Sequence, residues 1–140
     1  MRNDEHRLQV ECVRWFRLAH PRLLLYAVPN GGQRNAIVAA KLKAEGVLAG
    51  VPDLFLAVPS GTAHGLYIEM KNGKKGVVSE SQRTVMAALE AQGYATAVCR
   101  SFDEFHTTVD EYLNGFSLGE KLTDELKRQT DEYLHFETLV

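Results

Sequence analysis

Little in this sequence points to a membrane or to an oxidising compartment. Only two cysteines occur, Cys12 and Cys99, and both fall on apolar patterns, which reads as buried thiols of a reducing cytosol. No signal peptide, long apolar run or low-complexity tract is present, so a soluble, cytoplasmic protein with no membrane attachment is expected. An excess of one charge is lacking too, with 16 Lys/Arg against 18 Asp/Glu. That balance conceals an asymmetry: residues 1–76 hold eleven Lys/Arg against six Asp/Glu, and residues 77–140 hold five against twelve. A basic half fits a polyanionic partner. With 140 residues, 45% of them hydrophobic, the chain can bury one real core and gives no sign of a second. The expected organisation is one domain over residues 1–116, followed by a helical extension over 117–140 that either closes the core or dimerises.

What is present alternates in type. Residues 4–19 read as an amphipathic helix with Leu8, Cys12, Trp15, Phe16 and Ala19 on one stripe, ended at Pro21. Residues 23–28 form a short apolar strand, broken by Pro29-Asn30-Gly31-Gly32. A helix over roughly 34–45 follows. Asp53–Val58 and Leu66–Lys71, with turn formers at Pro59-Ser60-Gly61 and Gly65 between them, predict an antiparallel hairpin. Ser79 with Gln82 has the spacing of a capping box at the start of a helix whose buried stripe is Val85, Met86 and Leu89, and Gly93 ends it. Tyr94–Cys99 is a last strand, and Ser101 caps a helix reaching about Asn114. Residues 118–136 form a charged helical tail.

The hairpin carries the chemistry. Asp53 and Glu69 are equidistant from Gly61, so a turn centred there sets them opposite each other with Cβ atoms about 4.5–5.5 Å apart. Carboxylates that close repel unless a cation lies between them. Alternation puts Leu66, Ile68 and Met70 in the core and Tyr67, Glu69 and Lys71 on the other face. Hard oxygen donors with no His or Cys nearby suit Mg²⁺ or Mn²⁺ and not zinc. Lys71 beside such an ion is able to orient or deprotonate a water, or to offset charge on a phosphate in flight. A surface hairpin with an ordinary Glu-x-Lys is the alternative; its pairing with Pro52-Asp53 at matched register weighs against that.

Further residues are candidates by position. Glu5 points inward from the first turn of the first helix, either as a helix-dipole partner or as a third acid, whereas Glu11 lies on the flank. Asn30, Gln33 and Arg34, around a glycine pair that includes Gly32, either reach a phosphate or belong to a turn. Lys74 and Lys75 sit in a flexible basic loop directly after Lys71, suited to gripping a phosphate backbone without reading sequence. Gln82, beyond its capping role, begins its helix close enough to Lys71 to orient a water or substrate oxygen.

Taken in order, Glu5-x-x-Leu-Gln9, Pro29-Asn-Gly-Gly with Arg34, Gly50-Val-Pro-Asp53-Leu, Glu69-x-Lys71 and Ser79-x-x-Gln82 resemble the virus-type replication-repair nuclease (VRR-NUC) domain of the PD-(D/E)xK nuclease superfamily. Residues 4–105 carry the likeness. It implies an α/β, restriction-endonuclease-like core with a mixed sheet of about four strands flanked by helices. It implies Mg²⁺ or Mn²⁺ held by Asp53, Glu69 and the Met70 backbone carbonyl, Lys71 as catalytic, Glu5 in metal or water positioning, and Gln82 as support. The resemblance extends to stand-alone phage and bacterial members, which act as homodimers on four-way (Holliday) DNA junctions, so a DNA-binding, structure-selective endonuclease of replication, recombination or repair is expected, with no nucleotide cofactor. Flap, restriction-type or RNA-processing nucleases of the same superfamily, and a non-catalytic DNA-binding relative, are the competing readings.

Overall fold

The computed structural model describes residues 2–29, 35–116, 128, 131 and 132. Eight elements follow one another: α1 (Arg2–Ala19), β1 (Leu25–Ala27), α2 (Ala36–Ala44), β2 (Leu54–Leu56), β3 (Leu66–Met70), α3 (Glu80–Ala91), β4 (Ala95–Cys99) and α4 (Phe102–Leu113). The strands form one mixed sheet in the order β1-β2-β3-β4, antiparallel at the first two pairings and parallel between β3 and β4. A parallel pair needs a crossover, and α3 supplies it.

One face of the sheet is the core. Leu54 and Leu56 of β2 and Leu66, Ile68 and Met70 of β3 are buried there with Cys12 and Phe16 of α1 and Phe105 and Val109 of α4. Trp15 is half-buried and meets Phe16, Phe102 and Phe105 edge-on, which fills the seam between α1 and α4. Cys12 and Cys99 are buried free thiols, and burial pushes the Cys12 thiol up to about 12. The loop after β2 is tied to α4: the Tyr112 hydroxyl donates to the Val58 carbonyl at 2.6 Å, and the Ser60 hydroxyl donates to the Tyr112 carbonyl. Among the described residues no helix is long and apolar enough to cross a membrane.

The opposite face is covered more thinly. Val85, Met86 and Leu89 of α3 are only half-buried, because α3 packs against β4, beyond which no strand lies among the described residues. The stripe expected to be buried is therefore a partial one. Ala19, expected on the α1 stripe, is exposed; α1 ends at that residue, beyond the part that packs against the sheet. The strand expected over 23–28 narrows to three residues of edge strand, with Leu25 buried and Tyr26 exposed. Helix α2 begins later than expected, where the Asn35 side chain accepts from the Val38 N–H at 2.8 Å, and none of its residues is buried. Of the helical tail expected over 118–136, residues 128, 131 and 132 are described and helical, with Arg128 paired to Glu132 at 3.0 Å and Asp131 to Arg22 at 3.3 Å; the rest lies outside the described residues.

Candidate active site

The register of the hairpin fixes the carboxylates. Leu54 pairs with Ile68, Phe55 with Tyr67 and Leu56 with Leu66, so one further step sets Asp53 opposite Glu69, as its distance from Gly61 predicts. Asp53 is held from two directions: its carbonyl accepts from Val28 N–H at 2.8 Å, and its Oδ2 accepts from Met70 N–H at 2.7 Å. The approach to Asp53 depends on Gly50. There φ is +96°, and a Cβ would lie 2.5 Å from the Ser81 carbonyl oxygen. Only a glycine lets the chain that delivers Asp53 run this close to the first turn of α3.

Glu69 is the charged side chain the fold buries, at 2% exposure. Its Oε2 lies 3.3 Å from Lys71 Nζ and accepts from Gln82 Nε2 at 3.0 Å. Gln82 is fixed at both ends, because its Oε1 accepts from Ser79 N–H at 2.9 Å while its own N–H donates to the Ser79 hydroxyl. One residue thus completes the helix cap and aims a donor at the carboxylate. Burial, then the facing Asp53, push the Glu69 carboxyl up to about 7, against the lowering effect of Lys71.

Two carboxyl groups that face each other this closely are a place for a cation. The donors are hard oxygens, which fits Mg²⁺ or Mn²⁺. Among the described residues no His, Cys, Asp or Glu makes a third member of the group. Glu5 is half-buried in the first turn of α1. Lys74 and Lys75 are exposed in the loop between β3 and α3. Asn30, Gly32, Gln33 and Arg34 lie outside the described residues. Met70 is beside Asp53 through its N–H, a contact that spacing in the sequence gave no reason to expect.

A groove of about 780 Å³ between α1 and β1, lined by His6, Val10, Arg14, Arg17 and Leu18 among others, contains none of Asp53, Glu69 and Lys71. The carboxylate pair stands instead where β2 begins and β3 ends.

Comparison with known proteins places the chain in a family. The VRR-NUC domain family matches residues 3–103. A solved structure described as a VRR-NUC domain protein superposes with a TM-score of 0.68 at 24% identity, covering 80% of this chain and 89% of that one, a likeness of fold. No curated protein matches. With the matched span containing Asp53, Glu69, Lys71 and Gln82, the chain belongs to the VRR-NUC family of virus-type replication-repair nucleases.

Proposed function

We propose that the protein is a Mg²⁺- or Mn²⁺-dependent endonuclease that cuts phosphodiester bonds in branched DNA and works as a homodimer on four-way junctions. The observation that carries this is the Asp53–Glu69 pair, set in register on two strands with the Lys71 ammonium 3.3 Å from Glu69. Asp53, Glu69 and the Met70 carbonyl would hold the ion. When bound, it supplies charge neutralisation at the phosphate and a more acidic water.

The side chains do the rest. Glu69, tied by Lys71 and Gln82, keeps one oxygen committed to the protein and offers the other toward Asp53. Lys71, as an ammonium, donates to the attacking water or to a non-bridging phosphate oxygen and offsets the charge that grows on the pentavalent phosphorus. Lys74 and Lys75, together with Asn30, Gly32, Gln33 and Arg34, grip the backbone without reading bases. Glu5 helps position water from the first helix. A two-fold dimer would bring two such sites to symmetry-related strands of a junction.

The test is cleavage of four-way, flap, duplex and single-stranded DNA of one sequence with and without Mg²⁺, alongside light scattering of the same preparation. Junction-selective, Mg²⁺-dependent cutting by a dimer is expected. Equal cutting of plain duplex at discrete sequences would favour a restriction-type enzyme, and binding without cutting would favour a non-catalytic relative.

A further inference from the structure

Directly after Lys71 the chain leaves β3 in the loop 72–76, and this loop is held from β4's end. Arg100 Nη1 donates to the Gly73 carbonyl at 3.0 Å and to the Gly76 carbonyl at 2.5 Å. Its own carbonyl accepts from Gly73 N–H at 3.2 Å, and one residue earlier the Cys99 carbonyl accepts from Lys71 N–H at 3.0 Å. One guanidinium nitrogen therefore closes a five-residue loop on itself and on β4. The consequence falls on Lys71: a Cβ at Gly76 would stand 3.0 Å from Lys71 Cβ and 3.3 Å from its Cδ, so the Gly76 backbone lies flat against the lysine stem. The lysine side chain is only 12% exposed, long as it is.

From these contacts we infer that Arg100 is a positioning residue for phosphodiester hydrolysis. By holding both ends of the loop it seats Gly76 against the Lys71 stem, which keeps the ammonium on Glu69 instead of letting it swing through its many rotamers. Arg100 acts through Lys71 and the loop and touches no reacting atom. The inference rests on the nuclease reading only for its catalytic consequence; the seating of Lys71 is a property of the protein alone.

The experiment compares wild type, Arg100→Ala and Arg100→Lys. In lysine-labelled protein, the Cε–Hε signal of Lys71, identified by its loss in Lys71→Ala, reports the seating without DNA or metal. The single-turnover rate and DNA affinity report the catalytic consequence. For Arg100→Ala the Lys71 signal should move to the position of exposed lysines, and the cleavage rate should fall by about tenfold or more while affinity changes by less than about threefold. Arg100→Lys, shorter and without the planar guanidinium, should behave as the alanine variant does in both readouts. An unmoved Lys71 signal in Arg100→Ala overturns the inference, as does full recovery by Arg100→Lys, which would make charge the cause and not the clamp. If wild type cuts nothing, the nuclease reading fails, and the lysine signal still decides whether Arg100 seats Lys71.

Discussion

Two carboxyl groups forced into register on neighbouring strands need a proton or a cation between them, and at Glu69 that need is built into the backbone. Its carboxyl, with an ordinary value of 4.5, is pushed up to about 7 by burial and by Asp53. The folded protein thus keeps a proton that the unfolded chain has released, so stability is fullest below about pH 4.5 and declines as pH rises toward 7. Denaturant melts in EDTA at pH 5 and pH 8 should show wild type losing about 1–3 kcal/mol more than Glu69→Gln over that interval. Equal losses would mean that Glu69 is not the strained group. Gln82 separates two roles in a similar way. Gln82→Glu retains an acceptor for Ser79 N–H and so retains the helix cap, but it turns an oxygen toward Glu69 where an N–H donates now. We expect the melting temperature to stay within a few degrees while cleavage drops by about two orders of magnitude; cleavage at the wild-type rate would reduce Gln82 to a cap. Asp53 opposite Glu69, and the Ser79–Gln82 box, were legible in the sequence because turn centres and caps follow spacing rules. The Asp53 contact with Met70 N–H and the Arg100 clamp were not, since a single arginine after a strand has no pattern that distinguishes it from a solvated one.

At the scale of elements, the site exists because a hairpin and a crossover helix meet at Gly50. The hairpin sets Asp53 and Glu69 in register; α3 brings Gln82 back over them; Gly50 allows the two to approach. Gly50→Ala would add a methyl group 2.5 Å from the Ser81 carbonyl at a φ of +96°. Gly46 is a matched control, with a φ of +106° and open space around it. The prediction is that Gly46→Ala costs about 1 kcal/mol from backbone strain alone. Gly50→Ala should cost more and also slow cleavage, as Asp53 and Gln82 are pushed apart. Denaturant melts with a single-turnover assay check this, and equal behaviour of the two variants would contradict it. Over the described residues from α1 to α4, elements were read from the sequence in the right order and type. Their extents shifted where tertiary position overrides local pattern: β1 is shortened at the sheet's edge, and the α3 stripe is half-buried because that helix covers the last strand and little else.

At the scale of the whole molecule, the described residues gather one apolar core on one side of a four-stranded sheet, and the basic N-terminal half supplies both carboxylates and Lys71. A net charge close to zero conceals that division. The central claim is that Asp53 and Glu69 hold a divalent ion that Lys71 works beside. The most direct measurement is single-turnover cleavage of a four-way DNA junction titrated with Mg²⁺, comparing wild type with Asp53→Ala while junction affinity is followed in Ca²⁺. Wild type should cut with saturable dependence on Mg²⁺, and Asp53→Ala should bind with an affinity within a few-fold and cut nothing. Wild-type cleavage by Asp53→Ala, or cleavage by wild type in EDTA, would contradict the account.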